Sequence, residues 1–164
     1  MRNLILTGMP ACGKSTLGVV LAKTLGMKFV DTDLLIQEVE NCKLQEIIDE
    51  RGMQEFLRIE EKVLSEIEAE NSIISTGGSA VYSDKAMKHL GNIGDVVYIK
   101  LSLDEIERRL NNIKTRGIAM KPGETLADLY NMRVPLYEKY ADITIETEGM
   151  GIEESIEVLI EKLK

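Results

Sequence analysis

The chain has 164 residues, 44% of them hydrophobic, enough to bury one sizeable core, so a single domain over 1–164 is expected. Its 20 Lys+Arg against 28 Asp+Glu leave a net charge of −8, a field that repels phosphate backbones and anionic lipid; nucleic acid and membrane are excluded as first partners. The longest uncharged stretch, 71–83, is shorter than the ~20 apolar residues of a membrane span, and the first residues lack the apolar run of an export signal. Cys12 and Cys42 have no CxxC spacing and His89 is the one histidine, which argues against a disulfide framework or a zinc site and for reduced thiols in a cytoplasmic protein; a monomer is expected.

In chain order, a β-rich apolar run at 4–7 leads through a glycine-flanked loop into a helix at 14–25. A strand at 28–30 precedes helices at 34–40, 44–51 and 54–70. A strand at 73–76 precedes a helix at 84–90, and a strand at 96–101 precedes a helix at 103–112. The polar stretch 111–124, NNIKTRGIAMKPGE, reads as a loop because Gly117, Pro122 and Gly123 interrupt helix propensity. A helix at 124–140, a strand at 143–145 and a helix at 152–163 complete the chain. Strands alternating with helices predict an α/β fold with a parallel sheet covered on both faces. The 111–124 loop holds Lys114, Arg116 and Lys121 in an otherwise acidic protein, which suits either a lid over an anion or a solvated surface loop.

Gly8-Met9-Pro10-Ala11-Cys12-Gly13-Lys14-Ser15 fits G-x-x-x-x-G-K-[ST] and sits between the first strand and the first helix. Glycines there let the loop turn its N–H groups inward toward phosphates, the helix N-terminus adds positive potential, Lys14 reaches the β- and γ-phosphates, and the Ser15 hydroxyl suits Mg²⁺. A purine nucleoside triphosphate is the expected ligand, bound by Gly8, Ala11, Cys12, Gly13, Lys14, Ser15 and Thr16. Motors, GTPases and small-molecule kinases share such a loop. The short chain, with neither an NKxD guanine-reading sequence nor an hhhhDE run, leaves a small-metabolite kinase. Asp31-Thr32-Asp33 ends the second strand, where open α/β sheets place ligands. Two carboxylates at that spacing suit a metal-sphere acid and a base for an acceptor hydroxyl, with helix capping as the plain alternative. Ser75-Thr76-Gly77-Gly78-Ser79 ends the next strand, where glycines allow close approach of a substrate to the backbone.

Taken together, GMPACGKST, DTD, the skeleton Gly52, Phe56 and Glu60, the STGG strand end, a lid containing Arg116, and Arg133-Val134-Pro135-Leu136-Tyr137 resemble the shikimate kinase family, within the nucleoside monophosphate kinase-like group of P-loop proteins. The resemblance implies a five-stranded parallel sheet in the order 2-3-1-4-5, a mobile lid, and ATP- and Mg²⁺-dependent phosphorylation of a small hydroxylated acid. It implies that Lys14 holds the phosphates, Ser15 and Asp31 the metal, Asp33 the acceptor hydroxyls, Arg116 the transferring phosphoryl group and Arg133 the acceptor carboxylate, with Arg109 packing on adenine. The acceptor segment, about 34–67, then includes Leu57 and Glu60, and Gly77, Gly78 and Ser79 complete the substrate wall.

The family segment usually reads Gly-Glu, two residues, Phe-Arg, two residues, Glu. Here Met53 stands at the glutamate and Leu57 at the arginine, the third glycine of the strand end is Ser79, and the lid reads Arg116-Gly117-Ile118-Ala119 in place of Arg-Pro-Leu-Leu. At about 100° per residue Arg58 points nearly opposite the stripe of Phe56, Ile59, Val63 and Ile67, so it does not replace an arginine at 57. These departures leave three readings open: shikimate as acceptor, another hydroxyamino or sugar acid as acceptor, or a nucleotide-binding protein without catalysis. Retention of Asp33 and Arg116 favours an enzyme.

Overall fold

The computed structural model describes residues 2–111 and 120–164. Five strands, β1 (Asn3–Thr7), β2 (Lys28–Asp31), β3 (Ser72–Ser75), β4 (Gly94–Lys100) and β5 (Ile143–Glu146), form one parallel sheet in the order β2-β3-β1-β4-β5. The helices are α1 (Lys14–Leu25), α2 (Thr32–Glu40), α3 (Leu44–Arg51), α4 (Met53–Ser65), α5 (Asp84–Ile93), α6 (Leu103–Leu110), α7 (Leu126–Tyr140) and α8 (Ile152–Leu163), with a 3₁₀ turn at Ala80–Tyr82. The fold class and strand order expected from the sequence are those observed. None of these helices is long and apolar enough to cross a membrane.

β1 is the central strand and is buried along its whole length, as a strand hydrogen-bonded on both edges and covered on both faces must be. β2 and β5 are the edges and are only partly buried. From β1 the chain crosses to β2 on one side, and after β3 it crosses to β4 on the other. The strand order therefore reverses at the carboxyl end of β1, the position where open α/β sheets open a crevice for ligands.

Expectation and structure differ most at α4. The helical pattern runs to residue 70, but the helix closes at Ser65, where the Glu66 N–H turns back to the Val63 carbonyl. Ile67 stays buried outside the helix, and its carbonyl meets His89 Nε2 at 2.7 Å. A tertiary contact thus takes over residues that continue the helical period.

Candidate active site

The loop from 8 to 13 folds as its glycines require. Gly8 has φ 148°, and a Cβ there would lie 2.8 Å from both Cys12 Sγ and the Ile99 carbonyl oxygen, so only glycine lets the loop pack on β4. Gly13, at φ 92°, is the N-cap of α1 and turns the chain into the helix. Ala11 also takes positive φ (63°), and Ala11 and Cys12 are buried. Lys14 is buried as well. Its ammonium donates to the carbonyls of Gly8 (2.8 Å) and Met9 (2.9 Å), curling the side chain back over its own loop. Cys12 fills space beneath this loop, in line with the expectation of an unpaired thiol.

Asp31 divides its carboxylate between two tasks. Oδ1 accepts the N–H groups of Asp33 (2.9 Å) and Leu34 (3.3 Å) and so caps α2, while Oδ2 receives the Ser15 hydroxyl at 3.2 Å. Ser75 Oγ is a further 3.4 Å from Ser15 Oγ. A hydroxyl and a carboxylate oxygen brought together beside a phosphate-binding loop are hard oxygen donors of the type Mg²⁺ takes, so the residues present fit that ion.

A cleft of about 160 Å³ is lined on one side by Gly13, Lys14 and Ser15 and on the other by Asp33, Gly77 and Gly78. The phosphate loop and the acidic strand end thus share one space. A Cβ on Gly77 would lie 2.6 Å from Asp33 Oδ1 and 3.1 Å from Glu60 Oε2, so two carboxyl groups from different helices converge on this bare stretch of backbone. On the other side, a Cβ on Gly78 would meet Arg133 Nη1 at 2.8 Å and Pro10 at 3.1 Å. Arg133 is 1% exposed, unlike an ordinary arginine on a helix surface. Its guanidinium lies over the Tyr82 ring, 5.1 Å from the centroid, and its Nε donates to the Tyr82 hydroxyl at 3.0 Å.

Glu60 is buried, and Ser79 donates to its Oε1 at 2.6 Å. Removal from water and the nearby Asp33 carboxylate raise its pKa to about 7; the Ser79 hydrogen bond and Arg133 act in the opposite direction but do not prevail. Leu57 and Ser79 line a second cavity, of about 290 Å³, together with Glu60 and Tyr82. Arg58 is held outward by Glu55, with two hydrogen bonds of 2.9 and 2.6 Å and a side chain 63% exposed.

A third cavity, also about 290 Å³, runs from Cys12, Gly13 and Thr16 to Arg109, whose Nη1 donates to the Ala11 carbonyl at 3.3 Å. Its far wall is Thr147, Met150 and Gly151, on the loop after β5. Sequence reasoning missed these three, although two glycines just after a strand end were a usable signal. It also missed Tyr82 and Ser75. A larger groove of about 580 Å³ between α2 and α4, lined by Val30, Leu35, Ile59 and Val63, contains none of the loop or strand-end residues. Arg116 and most of the expected lid lie outside the described residues.

A family model described as shikimate kinase matches residues 10–164. The shikimate kinase of Sulfurihydrogenibium sp. is 34% identical over 165 residues, covering 100% of this chain and 99% of that protein. That of Actinobacillus pleuropneumoniae is 37% identical over 150 residues, covering 90% and 87%. Among solved structures, shikimate kinase from Acinetobacter baumannii in complex with shikimate superposes with a TM-score of 0.91 at 28% identity, covering 99% of this chain and 93% of that one. A sugar kinase from Janibacter sp., at 19% identity and a TM-score of 0.61, shares the fold alone. With the phosphate loop, the acidic strand end and the buried arginine converging on one crevice, these matches over the whole chain show that it belongs to the shikimate kinase family, whose members are ATP-dependent phosphotransferases acting on an alcohol group.

Proposed function

We propose that this chain, acting as one domain over 1–164, transfers the γ-phosphoryl group of ATP to a hydroxyl of shikimate. The observation that carries the reading is the shared cleft, where Lys14 and Ser15 face Asp33, Gly77 and Gly78 across about 160 Å³. Phosphoryl transfer asks chiefly for positioning and for charge around the transferring group, and this arrangement supplies both. The inward N–H groups of Gly13, Lys14 and Ser15 and the start of α1 hold the phosphates, and the Lys14 ammonium exchanges its two loop carbonyls for phosphate oxygens. Ser15 and Asp31 hold Mg²⁺, which offsets phosphate charge when bound. Asp33 accepts the proton of the attacking hydroxyl, Arg133 pairs with the acceptor carboxylate, and Arg109 packs on the adenine. Gly8, Ala11, Cys12 and Thr16 shape the nucleotide side. Gly77, Gly78, Ser79, Leu57 and Glu60, with the 34–67 segment, shape the acceptor side. Arg116 supports the transferring phosphoryl group from the 111–124 segment. The protein works as a cytoplasmic monomer, with no nucleic acid or membrane partner.

One observation favours a second reading of the acceptor. Leu57 offers no charge to the cavity it lines, and the cation among the described lining residues, Arg58, is held by Glu55, which admits a hydroxyamino or sugar acid. Loss of one charge-assisted hydrogen bond to a carboxylate is worth about 1.5–3 kcal/mol, enough to reorder acceptors. The test is ADP release with ATP and Mg²⁺ across shikimate, hydroxyamino acids and sugar acids. Saturable turnover of shikimate supports the first reading, and turnover confined to another acceptor replaces it with the second. Asp33→Asn abolishes turnover and leaves ATP binding nearly unchanged; loss of both together would refute its acceptor-side role.

A further inference from the structure

The cavity beside Arg109 is bordered by two pieces of chain that leave neighbouring strands. β4 and β5 pair in register as far as Lys100 and Glu146, and two residues beyond that pair Ser102 and Glu148 meet. Glu148 Oε1 accepts both the Ser102 N–H (3.1 Å) and the Ser102 hydroxyl (2.5 Å). The same Ser102 oxygen accepts the Glu105 N–H at 3.3 Å and so caps α6. One turn further along α6, Glu105 Oε1 takes the Arg109 Nε–H at 3.0 Å, and Arg109 Nη1 reaches the Ala11 carbonyl at 3.3 Å. A hydrogen-bonded path therefore runs from the loop after β5, through the start of α6, to the phosphate loop after β1.

Neither glutamate lines the cavity, but each holds something that does. Glu148 sits inside a turn closed by the Met150 N–H on the Thr147 carbonyl at 3.0 Å, so fixing Glu148 fixes the wall of Thr147, Met150 and Gly151. Glu105 fixes Arg109. Gripped at Nε by Glu105 and at Nη1 by Ala11, the guanidinium loses its freedom to turn and keeps a flat face for a ring to stack on. Arg108 binds Glu105 as well, at 3.0 and 2.6 Å, and the two arginines hold the Glu105 carboxyl down at about 2, so it is charged at any working pH. An ion pair serving only the surface of α6 has no need for Arg109 to end on a carbonyl 98 positions away.

We propose that Glu148 and Glu105 are positioning residues for the nucleobase: Glu148 sets the wall and Glu105 sets the Arg109 plane, so that the slot between them stands formed before a purine nucleotide arrives. Preorganisation of this kind raises affinity by removing the cost of ordering the wall and the arginine on binding. The proposal rests on the kinase reading above and adds to it residues that hold the base site without touching the base.

The test is titration calorimetry of the whole chain with Mg²⁺, comparing ATP with inorganic tripolyphosphate, which carries a triphosphate but neither base nor ribose. Wild type should bind ATP more tightly than tripolyphosphate. Glu148→Ala and Glu105→Ala should each weaken ATP about 3- to 10-fold, the worth of a hydrogen bond or two, and leave tripolyphosphate unchanged. Glu148→Gln keeps one oxygen for both Ser102 donors and should recover ATP affinity. Glu148 is exposed and Glu105 only partly buried, so truncation leaves the core intact, and either site alone carries the test if the other variant does not fold. An equal loss for ATP and tripolyphosphate, or no loss for either, overturns the positioning role while the kinase reading stands. Tripolyphosphate bound by wild type as tightly as ATP overturns the base slot and the proposal with it. Binding of neither overturns the kinase reading as well.

Discussion

Replacing Glu60 by glutamine should stabilise the protein at alkaline pH, by an amount that follows from where the carboxyl group sits. Its pKa rises from 4.5 to about 7 on folding, chiefly because burial disfavours the charged form. A folded state that holds a proton more tightly than the unfolded state loses stability as pH rises between those two values. Below about pH 4.5 the group is neutral in both states and costs nothing; above about pH 7 the folded protein carries the whole cost of a buried charge beside Asp33. Two and a half units at about 1.36 kcal/mol each come to roughly 3 kcal/mol. For a chain of this size that corresponds to about 6–12 °C in Tm. Glutamine keeps an oxygen for the Ser79 hydroxyl and never ionises. The assay is thermal unfolding of both proteins at pH 5, 6, 7 and 8, read as the difference in Tm, so that the other titrating groups cancel. That difference should grow by about 5–10 °C in favour of the variant from pH 5 to pH 8. A flat difference, or one that favours wild type increasingly at high pH, would show that the carboxylate is satisfied in the folded state and refute the reasoning.

Gly77→Ala places a Cβ 2.6 Å from Asp33 Oδ1 and should cut kcat/KM for the acceptor at least about tenfold, while nucleotide affinity, measured by titration calorimetry, stays as it was. Asp31→Ala removes the α2 cap, worth about 1 kcal/mol; Tm should fall by a few degrees, and activity should need more Mg²⁺ to reach half-maximum. Tyr137→Phe keeps the stack on Tyr98, 5.1 Å between centroids, but leaves the Gly78 carbonyl without its 2.6 Å donor. A loss of about 1–3 kcal/mol in denaturant unfolding is expected.

What was legible in the sequence were the features that local chemistry dictates. The phosphate loop follows from glycine spacing before a helix, and β1 from an apolar run without alternation. The parallel sheet follows from strands that alternate with helices. The DTD segment could be placed at a strand end, but its division of labour could not. That Asp31 serves α2 with one oxygen and Ser15 with the other depends on a Ser15–Asp31 approach across 16 positions. Arg133 was assigned through the family motif alone, because nothing within α7 announces that Tyr82 and Gly78 close over it. The wall formed by Thr147, Met150 and Gly151 was missed because it comes from the far end of the chain. Leu57 was identified by position, and its orientation toward the cavity shared with Ser79 follows from the α4 stripe; the Ser79–Glu60 hydrogen bond needed the folded turn.

Tyr137 touches Met9 in the phosphate loop, with its hydroxyl 3.9 Å from the Met9 sulfur, and it also holds the Gly78 carbonyl. Arg133 lies one turn earlier on the same helix and packs against Gly78 as well. Half of the acceptor wall is therefore welded to the nucleotide machinery, and changing it disturbs both substrates at once. The other half, on α4, joins the strand-end turn through the Ser79–Glu60 hydrogen bond. A lineage that keeps its ATP chemistry can exchange side chains on α4 at little cost to phosphate binding, and the evolutionary freedom of this scaffold to adopt new acceptors is concentrated on that helix.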